Sequence, residues 1–192
     1  MAFSVENPPI WFRIIVYGVI VIFAIGLVFL AERRGLEKWI DTLDTQQVAI
    51  STLFEERLDS VAELSGRLKS EEVQVLKEFG IQLEAVLPAG DISLLGVEEL
   101  SHLYLSLDDL LNDCVIELSK EYGKAIPSPL LIPVRELMAN EMMLGDHVAV
   151  YHSQLLNYER AVTSVLNIFA VSVMELPDYG EFTMISALQT PY

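Results

Sequence analysis

Three histidines, one cysteine and one carboxylate on an apolar helix face are the residues of this 192-residue sequence whose types suggest chemistry. Glu99-Leu100-Ser101-His102 has the Glu-x-x-His spacing that puts two metal ligands on one side of a helix, as in di-iron bundles. Such a centre needs a second pair, but Leu144 and Ala149 stand three residues before His147 and His152. His102 is therefore read as a surface or boundary histidine, and His147 and His152, five apart, point in different directions. Cys114, being alone, excludes an intrachain disulfide and any zinc site of several thiolates; on an apolar stripe it reads as a small core residue. No Gly-rich phosphate loop, GxSxG elbow or HExxH motif occurs. Glu141 falls among the apolar positions of the last helix, where a carboxylate requires a partner. Arg57 on the first helix, or a hydroxyl such as that of Tyr151, is the expected partner, in a polar layer that fixes helix register. No catalytic, cofactor or metal set is expected.

The elements that position these residues begin with residues 14–31, IIVYGVIVIFAIGLVFLA, which contain no charge, Pro, Asn or Gln. Eighteen residues at helical rise reach roughly 27 Å, close to the thickness of a bilayer's hydrocarbon core, and the apolar character runs all round the helix rather than along one stripe. The segment reads as a transmembrane helix. A cleaved leader is disfavoured, because no basic stretch precedes it and no small-x-small site follows. Trp11 and Phe12 suit the interface, and Arg13 can extend its guanidinium to the headgroups. Arg33, Arg34 and Lys38 follow the span and outweigh Arg13, so the positive-inside rule puts the body in the cytoplasm.

Of the 28 acidic and 12 basic residues only Glu6 and Arg13 precede residue 32, so the net charge of −16 belongs to residues 32–192. A surface this acidic repels phosphate backbones, which makes nucleic acid an improbable partner. Within this body, Leu36, Ile40, Leu43, Gln47, Ile50, Phe54, Val61, Leu64 and Leu68 recur at three and four, with Leu58 filling the one gap. This predicts a long helix continuing from the span to about Lys69, with Gly35 and Gly66 as its weak points. Ser70-Glu71-Glu72 predicts the start of a second helix, with Val73, Leu76, Phe79, Leu83 and Val86 on one face, ended by Pro88-Ala89-Gly90-Asp91. From Ser93 a third stripe runs through Val97, Leu100, Tyr104, Leu107, Leu111, Cys114, Leu118 and Tyr122, and Gly123 is placed to terminate it. Residues 124–133 hold three prolines and predict an irregular connection. Pro133 then opens a fourth helix whose face is Leu137, Glu141, Leu144, Val148, Tyr151, Leu155, Tyr158, Val162 and Leu166. A C-terminal extension carries Phe169, Val173, Leu176, Pro177 and Phe182. No period-two alternation marks a strand. The fold class is all-α: a tail (1–13), a transmembrane helix (14–31) and an elongated antiparallel bundle of about four helices (32–192).

The spacing in the last helix resembles that of LemA proteins, bacterial helical bundles with one N-terminal transmembrane helix. That family has an acidic residue, an aliphatic residue three later, then Tyr-Asn, a hydrophobic residue and a second Tyr-Asn. Glu141, Leu144, Tyr151, Leu155 and Tyr158 are similar, with His152 and Glu159 where the asparagines would stand. The family's Arg-x-Asp followed by Leu resembles Arg57, Asp59 and Leu64; its acidic-Tyr pair resembles Glu121-Tyr122; its closing hydrophobic-x-Pro and Phe resemble Leu176-Pro177 and Phe182. Glu56 stands in for the first arginine of a basic pair, and Val148 for another arginine, so the resemblance is to a divergent member. It implies an inner-membrane protein with its N-terminus outside and its domain in the cytoplasm, and it implies no reaction.

The functional expectation is a non-enzymatic, single-pass adaptor or scaffold that binds other membrane or membrane-proximal proteins, anchored to the lipid bilayer through residues 14–31. The alternatives are a self-assembling structural protein, a homo-oligomer paired through its long helix, and an accessory or regulatory subunit of a membrane enzyme such as a protease. Arg57, Asp59, Glu141, Tyr151 and Tyr158 are the candidate structural or interaction residues; Trp11, Arg13, Arg33 and Arg34 flank the anchor.

Overall fold

The structure, a computed structural model, describes residues 9–88, 90, 92, 95–164 and 171–184. The described residues include four helices, α1 (Ile10–Lys69), α2 (Gln74–Val86), α3 (Val97–Tyr122) and α4 (Ser128–Thr163), and no strand. The fold is all-α. The predicted positions 1–8, Ala89, Asp91, Ser93, Leu166 and Phe169 lie outside the described residues.

Contacts divide the chain into two compact units, Met1–Asp41 with Asn157–Pro177, and Thr42–Leu156 with Asp178–Tyr192. In the first, α1 contains a stretch long and apolar enough to cross a membrane, none of it buried. Here Tyr158, near the end of α4, donates from its hydroxyl to the Pro177 carbonyl at 3.0 Å.

In the second unit the seam of α1 is Leu43, Ile50, Phe54, Arg57, Val61, Leu64 and Leu68, all fully buried. Arg57, not Leu58, fills the gap in the predicted apolar line: steps of 4, 3, 4, 3 and 4 from Ile50 pass through it, and Leu58 is only half-buried. Continuous intrahelical bonding carries α1 past Gly35 and Gly66, where nothing lies within 4 Å of an added Cβ.

Two helix starts differ from expectation. Ser70 and Glu71 finish α1 rather than begin α2: their amides donate to the Arg67 and Leu68 carbonyls at 3.0 and 3.1 Å, and the Ser70 hydroxyl donates to the same Arg67 oxygen at 2.6 Å. Arg67 and Lys69 in the last turn complement the carbonyl end of α1. Val73, extended at φ −73° and ψ 115°, is instead the residue before α2. Helix α2 then packs against α3, burying Leu76, Gly80 and Leu83 with Phe79 and Val86 only half-buried, and it is tied to the end of α1 by Lys69 and Glu84 at 2.7 Å. Gly80 sits so close to α1 that an added Cβ would lie 2.8 Å from the Ser65 carbonyl oxygen and 2.9 Å from the Lys69 amide nitrogen.

Helix α4 begins at Ser128, five residues before the predicted Pro133, and so takes in part of the stretch expected to be irregular. The Pro127 carbonyl accepts from the Leu130 and Leu131 amides at 3.0 and 2.9 Å, which starts the helix. Pro129 falls in the first turn, where a missing N–H costs nothing, and Pro133 removes only the bond to the Pro129 carbonyl. Three prolines are thus compatible with a helix because only one lies beyond its first turn. Helix α3 keeps the predicted stripe, from Val97 through Leu118, buried. Its start is held by the Glu99 carboxylate accepting the Gly96 amide at 3.0 Å, and its end by Gly123 at φ 58°.

Candidate functional site: a buried charge cluster

Arg57 on α1, Tyr104 and Asp108 on α3, and Glu141 on α4 meet in the core of the second unit. The arginine and tyrosine are fully buried, Asp108 is 1% exposed and Glu141 6%. Helix geometry explains the meeting. Tyr104 and Asp108 are four apart and share a face of α3, Arg57 occupies a seam position of α1, and Glu141 lies on the buried face of α4.

The Arg57 guanidinium divides its two ends between the carboxylates, Nη1 donating to Glu141 Oε2 and Nη2 to Asp108 Oδ1, the latter at 3.1 Å. The Tyr104 hydroxyl donates to the other Glu141 oxygen, and its ring lies under the guanidinium with the Arg57 carbon 4.9 Å from the centroid. Tyr104 therefore touches the charge network at both its edge and its face, stabilised by hydrogen bond and cation–π attraction. Of the donors and acceptors here, Arg57 Nε is buried without a hydrogen-bond partner. Burial, reinforced by the Glu141 carboxylate, pushes the Tyr104 hydroxyl pKa upward, so it stays a donor. Burial likewise pushes the Asp108 carboxyl up to about 6, with Arg57 opposing the rise.

This arrangement joins three helices electrostatically; it presents no activated nucleophile. The expected pair Arg57–Glu141 is present, but the hydroxyl on Glu141 belongs to Tyr104, not Tyr151. The Tyr151 ring is buried and its hydroxyl donates to the Gly180 carbonyl at 2.8 Å. Tyr158 points to Pro177, in the other unit. Asp59 is exposed and lines a separate shallow groove with Glu55, Leu58 and Ala62, so it does not join the cluster its neighbour Arg57 builds. Of the residues flanking the apolar stretch, Trp11 is exposed with its ring edge-on to Phe12, Arg13 lies in the exposed first turns of α1, Arg33 pairs with Glu37 at 2.8 Å, and Arg34 is exposed. Sequence reasoning missed Asp108, whose signal was a charged residue directly beside Leu107 and four after Tyr104; an adjacent Asp109 on the exposed side masked it.

The other candidate residues are accounted for locally. Glu99 caps α3, which removes the carboxylate of the Glu99/His102 pair, and His102 is exposed. His147 Nδ1 lies 3.0 Å from Gln46 Oε1. Burial pushes the Cys114 thiol up to about 12, which suits a core residue. Among the described residues no three His, Cys, Asp or Glu side chains converge as metal ligands. An open groove of about 460 Å³ reaches Glu141 from outside, between Met142, Gly145, Asp146, Ala149, His152 and Met184.

A short strap covers the cluster. Phe182 is fully buried with its ring centroid 5.7 Å from that of Tyr104; the Thr183 amide donates to Ser101 Oγ at 2.8 Å and the same hydroxyl donates to the Thr183 carbonyl at 3.2 Å. Tyr179 adds a bond from its hydroxyl to Asp44 Oδ1 at 2.7 Å. Residues 178–184 are thus fastened to α1, α3 and α4 by side chains that meet strap backbone or ring.

Compared with known proteins, the chain matches no family model, and neither a curated protein nor a solved structure is similar to it.

Proposed function

We propose that this protein is a single-pass membrane-anchored adaptor or scaffold of the LemA kind, in a bacterial inner membrane, with its N-terminus outside and its helical body in the cytoplasm. The observation that carries the reading is that the apolar, wholly unburied stretch of α1 runs without a break into the helix whose seam forms the core of the second unit. Such a helix gains its burial from lipid. The adaptor role is supported by the buried cluster, whose polar groups bond one another across three helices, and by the outer side of α4. Met142, 76% exposed, Met143, Val150 and Leu156 there offer apolar surface for another protein. Affinity purification of the full chain from gently solubilised membranes tests the role. A foreign membrane protein recovered in constant proportion is expected. Recovery of self-copies only would replace the adaptor reading with a self-assembling structural protein, and recovery of enzyme subunits would make it an accessory subunit.

A further inference from the structure

The charges of the buried cluster do not balance. One guanidinium faces two carboxyl groups, and the side chains of Arg57, Asp108 and Glu141 are 0%, 2% and 7% exposed. A surplus carboxylate in such surroundings is costly, and the usual resolution is uptake of a proton rather than burial of the charge. The two carboxyls are not equivalent hosts for it. Both Glu141 oxygens already accept bonds, from Arg57 and Tyr104, whereas Asp108 accepts a single bond from Arg57. The groups facing Asp108 are Arg57 from α1, Glu141 from α4, and Tyr104 and Asp109 on its own helix.

We propose that Asp108 is a proton-binding site that sets how tightly the three-helix junction and the strap over it are held. With the proton on, the cluster is neutral and the junction closes; with it off, one unmatched negative charge is buried and the junction loosens. Tyr104 carries the effect outward, because its hydroxyl is on Glu141 while its ring rests on Phe182 of the strap.

The sign follows from burial pushing the Asp108 carboxyl from its ordinary 3.8 to about 6. Between those values the folded chain holds a proton that the unfolded chain has released, so stability from this group is full below about 4 and is lost as pH rises through about 6. The shift corresponds to an effect of up to ~100-fold in the folding equilibrium. The experiment compares the full chain in detergent micelles with Asp108→Asn, a neutral isostere whose Oδ1 still accepts from Arg57. Urea midpoints and the protection of the Thr183 amide are read at pH 5 and pH 8. The expected result is that the variant gains on the wild type in both measures between pH 5 and pH 8, which removes the general effect of the other carboxylates. An unchanged difference between the two chains overturns the proposal. If the variant does not fold, infrared spectra of aspartate-labelled wild type decide: a buried protonated carboxyl band present at pH 5 and gone at pH 8 supports it, and its absence at pH 5 overturns it.

Discussion

Arg57 occupies a position that an aliphatic residue would fill with less cost, and its presence makes the core dependent on it. Desolvating an ion pair can consume most of its Coulombic gain, whereas removing one partner strands the other. Arg57→Met keeps the bulk of the side chain and leaves Glu141 and Asp108 without a cation, so a loss of about 3 to 5 kcal/mol is expected at neutral pH. Replacing the cluster whole, with Tyr104→Phe, Asp108→Leu and Glu141→Leu added to Arg57→Met, should recover most of that loss, because no buried polar group is left unmatched. Urea unfolding followed by circular dichroism on the full chain measures both. A loss below about 1 kcal/mol for the single variant would show that the cluster does not couple the helices.

At the scale of elements, the two glycines Gly66 and Gly80 look alike in sequence and behave oppositely. Alanine at Gly66 meets nothing within 4 Å, so it should stabilise the helix by up to about 1 kcal/mol. Alanine at Gly80 gains the same propensity but drives a methyl group to 2.8 Å from the Ser65 carbonyl, a backbone atom that moves only with α1 itself. A net loss of about 1 to 3 kcal/mol is expected. Thermal melts of the two variants, read as a difference, check the pair. If both alanines stabilise, α2 does not approach α1 as closely as described.

The contrast also shows what was legible in the sequence. Apolar spacing carried the long course of α1, the stripe of α3 and the face of α4, because a helix must bury one side and the period repeats over many turns. Glu141 announced itself as a carboxylate among aliphatic residues, and Arg57 could be named as its partner. Asp108 and the strap could not be read, since one acidic residue beside a stripe looks like solvated surface until three helices close on it. Helix α4 starts earlier than its prolines suggest because the cost of a proline depends on its place in the first turn and not on how many there are. Gly80 was invisible, for close approach is a property of two elements and a glycine belongs to one.

At the scale of the molecule, the charge of −16 and the apolar start of α1 set the terms. In the topology proposed above, Arg33, Arg34 and Lys38 after the apolar stretch outweigh Arg13 before it and the body lies on the cytoplasmic side. Alkaline phosphatase fused after Tyr192 should therefore be inactive in growing bacteria, and a cytoplasmic reporter at the same point active. Phosphatase activity would reverse the assignment.

The cluster also has an order in time. Arg57 precedes Asp108 by 51 residues and Glu141 by 84. At a synthesis rate of roughly 5 to 20 residues per second, the ribosome delivers Glu141 about 4 to 17 s after Arg57. Through that interval the cluster's arginine has been made ahead of its acids, Asp108 coming first and Glu141 after it. The cluster therefore cannot be complete until the last long helix has been made, because Glu141 supplies the carboxylate that Arg57 and Tyr104 both bond.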